Sequence, residues 1–139
     1  MRELKPNRTE RFTIPLVPVT KKNSQKICKN PRTGAQWIGP SDKFREYEHS
    51  CAWFMPHFAT IREPVEVRGL FYMPTHRRVD LVNLEEALLD VLVKYAILDD
   101  DNSEIVVSMD GSRVLYDKEN PRTEVTITYL NTKEGKEDR

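Results

Sequence analysis

The chain has 139 residues, 38% of them hydrophobic and 32% charged, with a formal net charge of zero; this length sets one domain with a modest core. Two cysteines, Cys28 and Cys51, are too few for a disulfide scaffold, and no apolar run reaches the ~18 residues of a membrane span. The first residues carry no apolar core behind their basic side chains, as a signal peptide would, so a soluble, reducing, cytoplasmic setting is expected.

Residues 1–10 are polar and are expected to be a flexible N-terminus. From Arg11 to Val17 apolar and polar residues alternate, with Phe12, Ile14 and Leu16 on one face, which predicts a strand. Pro15 and Pro18 put that strand at an edge or end it. Asn30-Pro31-Arg32-Thr33-Gly34 is a turn signal between two short extended pieces, Gln25–Cys28 and Ala35–Ile38. This predicts a basic, hairpin-like arm over 21–40, read either as a plain surface loop or as a mobile flap beside an active site. Ser41 can cap a helix, with Asp42 in its first turn. Phe44, Tyr47, Cys51 and Phe54 give that helix one apolar face until Pro56 ends or kinks it. Trp53 falls off the stripe, and His49 and His57 have no partner at a metal-ligand spacing.

Pro64 to Met73 predicts a strand, in which Gly69 marks a bulge or a close approach. Pro74-Thr75-His76 turns the chain toward Arg77 and Arg78. The helix after Asp80 has the strongest pattern in the chain, an apolar stripe of Leu81, Leu84, Leu88, Val91, Leu92 and Tyr95. Asn83, Ala87 and Asp90 share a second stripe, with Ala87 small enough to leave room for something to approach. Ile97-Leu98 leads into Asp99-Asp100-Asp101. Glu104 to Met109 predicts a strand, Asp110-Gly111 a turn, and Arg113 to Tyr116 a strand pairing back. Arg122 to Leu130 alternates cleanly, with Val125, Ile127 and Tyr129 on one face, and residues 131–139 are expected to be a disordered charged tail. The order predicts an α/β (α+β) fold: a single domain over 11–130, with one mixed sheet packed by two helices on one face.

Charge is unevenly spread along this order. Residues 1–32 hold nine basic side chains against two acidic ones, a net +7, and residues 80–104 hold eight acids against Lys94, a net −7. Separated regions of this kind suit a polyanion-binding surface beside a metal-holding centre, or simply neutralise each other across the fold. Asp80, Asp90 and one of Asp99–Asp101 would repel one another if brought together. A bound Mg²⁺ or Mn²⁺ removes that repulsion, prefers oxygen ligands, and can activate water against a phosphate. Taken singly, Asp80 reads as an N-cap, Asp90 as a solvated helix residue and the triple acid as a polar loop. A calcium-binding loop starting at Asp99 is excluded, because its sixth position is Glu104 and its twelfth Asp110.

These residues resemble a known family. Arg78-Val79-Asp80-Leu81-Val82-Asn83-Leu84, then Ala87-Leu88-Leu89-Asp90-Val91-Leu92, then Asp100-Asp101 before a strand, are similar to the RusA-type Holliday junction resolvases, small bacterial and phage endonucleases. Pro18-Val19-Thr20-Lys21-Lys22-Asn23 resembles the family's proline-then-basic loop, and the likeness runs over about residues 11–130. The resemblance implies a homodimeric α/β fold and Mg²⁺-dependent cutting of four-way DNA junctions by paired, symmetric incisions, in recombination and repair. It implies Asp80, Asp90 and Asp101 as catalytic acids and metal ligands, with Asp100 beside Asp101; the Asn83 amide oxygen could add a further metal ligand or hold a water. Lys21, Lys22, Asn23, Arg77 and Arg78 would contact the DNA backbone. Two positions depart from the pattern: Val82 stands where the family often has an acid, and Glu86 where a basic residue is common. The departures keep two further readings open, a catalytically weak or inactive branched-DNA-binding protein on the same fold, and a structural protein whose acids are only surface.

Overall fold

The structure, a computed structural model, describes residues 8–21, 25–40 and 42–130, with side-chain surroundings for all of these except 25, 26 and 38–40. Most of the expected flexible N-terminus, the expected tail, Lys22, Asn23 and the Ser41 cap lie outside the described residues. In chain order the elements are β1 (Thr9–Ile14), β2 (Gln25–Lys29), β3 (Gln36–Pro40), α1 (Asp42–Cys51), a 3₁₀ turn (Ala52–Phe54), β4 (Val65–Met73), α2 (Leu81–Lys94), β5 (Val106–Ser108), β6 (Arg113–Tyr116) and β7 (Arg122–Tyr129).

Alternation builds the sheet. Every second residue of β7, from Thr123 through Val125 and Ile127 to Tyr129, is buried, and so are Val65, Val67 and Phe71 of β4. The period of two puts each set on one face. β7 runs antiparallel to β4, with Val67 opposite Ile127 and Phe71 opposite Thr123. Its other edge takes β1, also antiparallel, with Phe12 opposite Val125. β1 begins at Thr9 and stops at Ile14, short of the expected Val17, because Pro15 has no N–H to continue the ladder.

The free edge of β4 carries two strands in tandem. β5 pairs in parallel beside Val65 and β6 in parallel beside Leu70 to Met73. This corrects the expectation that Arg113–Tyr116 pairs back on the preceding strand. The turn from Met109 to Ser112, with Gly111 at φ +83°, returns the chain to its original direction instead of reversing it. Ser112 Oγ then accepts from Gly69 N–H at 3.0 Å, in the gap between the two short strands. The sheet is therefore mixed, as expected, and β2 and β3 form a separate two-stranded sheet outside it.

Helix α2 covers the buried face through Leu84, Ala87, Leu88, Val91 and Leu92. Truncating one such leucine costs about 2–5 kcal/mol in comparable cores. Ala87 is a correction: it is packed into the core, so the small residue serves close approach of the helix to the sheet and opens no slot for a ligand. The helix ends on Ala96, which adopts φ +58° while Ile97 N–H reaches back to Leu92 O at 2.9 Å. That is a Schellman-type stop with alanine in the position glycine usually takes. Helix α1 adds Phe44, Tyr47 and Cys51 to the same core. It is tied to the end of α2 by Lys94 Nζ on Glu48 Oε1 at 2.7 Å and by Tyr95 Oη donating to Glu48 O at 2.7 Å. The tightening to a 3₁₀ turn rotates the last stripe residue outward: Phe54 is partly exposed and Trp53 is 83% exposed.

Candidate functional site

Asp80 stands where the chain leaves β4 and enters α2. Its backbone is extended (φ −90°, ψ 118°), and its Oδ1 accepts from Val82 N–H at 3.0 Å. This is the N-cap geometry the sequence predicts, and it places an exposed carboxylate at the positive end of the helix dipole. Asn83 follows in the first turn, half-buried. Just upstream, Arg77 and Arg78 are exposed. The segment that carries them is pinned one residue earlier, where the His76 ring stacks on Tyr116 of β6 at 3.9 Å between centroids and 28° between planes.

Asp90 sits ten residues beyond Asp80 on a rising helix, about 15 Å along its axis at 1.5 Å per residue. One ion cannot take both carboxylates across that distance. Asp90 instead faces the ammonium of Lys21, with Nζ 3.4 Å from Oδ2 and both side chains partly exposed. The contact joins the basic N-terminal stretch to the acid-bearing helix.

The triple acid divides its work. Asp99 donates its N–H to Ile61 O at 2.9 Å, and its Oδ1 lies 3.6 Å from Arg62 Nε. Asp100 closes the loop: its carboxylate accepts from Asp101 N–H at 2.8 Å and from Asn102 Nδ2 at 3.0 Å. Those bonds, the Asp101 N–H first, hold Asp100 below the usual carboxylate range. Asp101 is exposed. Among the described residues no group of three or more His, Cys, Asp or Glu side chains is gathered for a metal ion. The donors do fit a hard divalent cation in kind: all are oxygens and all are reachable from solvent. Mg²⁺ takes only one or two carboxylates from a protein, with water and substrate phosphate completing its shell.

Sequence periodicity does not reveal two further groups at this end of the sheet. One is the His76–Tyr116 stack. The other centres on Arg122, whose guanidinium lies 3.8 Å over the Tyr72 ring and donates to Glu124 Oε2 and Asp117 Oδ2, each at 2.8 Å. Tyr72 and Arg122 are direct partners across β4 and β7. Only the pairing of those strands identifies them, and neither strand's own pattern contains it.

The sequence model for the family described as endodeoxyribonuclease RusA matches residues 15–128. The chain belongs to the RusA endodeoxyribonuclease family. The match takes in the β2–β3 arm, α2, the acidic loop and all but the last residue of β7, and it begins where β1 ends. RusA-family enzymes are hydrolases that act on branched DNA junctions, as Holliday junction resolving endonucleases. They are generally dependent on divalent metals. A comparison with curated proteins gives no match. Among the described residues no helix is long and apolar enough to cross a membrane.

Proposed function

We propose that this chain cuts four-way DNA junctions by paired phosphodiester hydrolysis, as a homodimer and with a divalent cation, in recombination or repair. The observation that carries this reading is the Lys21–Asp90 contact. It sets Lys21, the first cation of the basic arm, against an acid of the helix in a RusA-family fold, which supports reading arm and acids as parts of one surface.

In this reading Lys21, Arg77 and Arg78, with Lys22 and Asn23 from the adjoining segment, grip backbone phosphates and set the register of the DNA. Asp80 and Asp101, with Asp100 and the Asn83 amide oxygen beside them, would hold Mg²⁺ or Mn²⁺. Such an ion polarises the phosphate, makes water a better nucleophile and stabilises the departing oxygen. Asp90 holds the Lys21 ammonium at 3.4 Å until a phosphate competes for it. Two copies related by a two-fold axis would present two such surfaces to the matched strands of a two-fold junction.

The test is cleavage of a synthetic four-way junction against matched linear duplex, with Mg²⁺, with Mn²⁺ and with chelator. Asp80→Asn runs alongside, because asparagine caps a helix as well as aspartate does and only the charge is lost. Metal-dependent cutting of the junction, abolished in the variant, is expected. Cutting that survives Asp80→Asn would overturn the assignment. A second reading, branched-DNA binding with weak or no catalysis, is favoured by Val82, which is 64% exposed at the position where the family often has an acid. It predicts tight junction binding without cutting under any metal.

A further inference from the structure

The β2–β3 hairpin spends apolar surface with no return inside the fold. It pairs with no strand of the main sheet. Cross-strand partners share a face, and neighbours along a strand alternate. Ile27 is opposite Ile38 and Cys28 opposite Trp37, so Ile27 and Trp37 lie on opposite faces. Ile27 is 72% exposed and Trp37 52%. The hairpin therefore presents a large apolar side chain on both faces. A lone two-stranded hairpin is at best marginally stable in water, so a partner that covers either side chain would stabilise it.

The charge around it selects the partner. Residues 21–40 contain five basic residues (Lys21, Lys22, Lys26, Lys29 and Arg32) and no acidic one, within a chain whose overall charge is zero. Lys29 and Arg32 are exposed at the turn. That turn is closed by Asn30 N–H donating to Ala35 O at 2.8 Å and by Gly34 N–H donating to Asn30 O at 2.9 Å. Basic side chains interleaved with an exposed aromatic are the pattern of a surface that follows a phosphate backbone while stacking on a base. Lys21 fixes where the chain sets out, on Asp90 of α2. Cys28, the cross-strand partner of Trp37, lies seven positions beyond Lys21, a reach of at most about 25 Å.

We propose that the arm is a branch-point reader: Trp37 stacks on a base face exposed at the centre of a four-way junction, with Arg32 of the turn on a flanking phosphate. This rests on the junction-cutting reading given above and adds the part of the chain that distinguishes a branch from a duplex. Inside a linear duplex each base is already stacked on both sides, and opening a step costs a few kcal/mol. Where four arms meet in an open junction the terminal pairs have a free face, and in a coaxially stacked one that face becomes available only as the centre opens. A sequence-tolerant π-stack at that point gives selectivity for structure without reading bases.

The test uses the full chain with Trp53→Phe, which leaves Trp37 as its one tryptophan, and chelator to keep the DNA intact. A four-way junction is expected to quench Trp37 emission and shield it from iodide, whereas linear duplex at equal bound fraction leaves it accessible. Trp37→Ala is expected to weaken junction binding on the order of tenfold, the worth of one base–aromatic stack, and to change duplex binding less than twofold. Trp37→Phe keeps most of the preference. A bound junction that leaves Trp37 unquenched, or a Trp37→Ala protein with undiminished junction preference, overturns the proposal. So does a DNA-free protein in which Trp37 becomes shielded as protein concentration rises, because a second copy then covers the arm. A protein that cuts junctions with Trp37 silent loses this inference alone. A protein that binds no junction loses the proposed function and this inference together.

Discussion

Replacing Gly69 by alanine tests how closely α2 is seated on the sheet. Local preference predicts a gain, since glycine inside a strand is worse than alanine by roughly 0.5–1 kcal/mol. The structure predicts a loss. A Cβ at Gly69 would lie 2.7 Å from Phe71 Cζ, 2.9 Å from Phe71 Cε2 and 3.0 Å from Leu88 Cδ2. Carbon atoms are comfortable at about 3.5–4.0 Å. Relief requires Phe71 or α2 to move, and the Phe71 ring is 2% exposed beneath the helix, with little room to turn. Overpacking of this degree costs about 1–3 kcal/mol, so after the glycine-to-alanine gain the net loss is up to about 2.5 kcal/mol and the fall in Tm up to about 10 °C for a chain of this size. Urea unfolding of Gly69→Ala measures it directly. The same substitution in a Phe71→Leu background, where the far edge of the ring is gone, is expected to cost at least about 1 kcal/mol less. An alanine protein more stable than the native one by the full gain of about 0.5–1 kcal/mol, in the native background, would refute the close seating of α2 on β4.

Three further outcomes are expected. Ala96→Gly should raise stability by about 0.5–1 kcal/mol in thermal or urea unfolding, because Ala96 holds φ +58° at the helix stop, where glycine carries no penalty. Val82→Asp should raise metal-dependent junction cutting, read as initial rate, with stability unchanged or slightly higher, since an exposed acid in the first turn of α2 favours the helix dipole. Asp117 is held below the usual carboxylate range, first by its hydrogen bond from Arg122. A depressed folded value contributes stability above the unfolded value near 3.9 and loses it as pH falls through the lower folded value. Acid unfolding of the native protein should therefore steepen below about pH 4, and Asp117→Asn should flatten that limb.

Elements whose signal is local were legible in the sequence. The α2 stripe, the Asp80 cap, the β7 alternation and the hairpin turn at Asn30–Gly34 each depend on residues within one or two turns of chain. What was not legible depends on which strands meet. The tandem parallel placement of β5 and β6 could not be told from a hairpin, because Asp110-Gly111 is a turn signal in either case. Ala87 looked like an opening until the sheet was seen to fill it. The Arg122 group exists only because β7 lies beside β4. At the acids, sequence spacing suggested that Asp80 and Asp90 act together, yet the rise of a helix separates them and Lys21 takes Asp90. The triple acid shows the same limit: loop hydrogen bonds distinguish Asp100 from Asp101, and composition does not.

The order in which β7 joins the sheet bears on how the protein is made. β7 pairs with β1, more than a hundred residues earlier, and with β4, about fifty residues earlier. Until it has left the ribosome, β1 has no neighbour in the sheet and β4 lacks its long antiparallel partner. The apolar face of Val65, Val67 and Phe71 must wait under α2 with one flank open. Pairings this distant in sequence make folding slow, and a half-built sheet with an open edge is prone to self-association. A chain that ends before Arg122 is therefore expected to self-associate at concentrations where the whole chain does not, as light scattering would read.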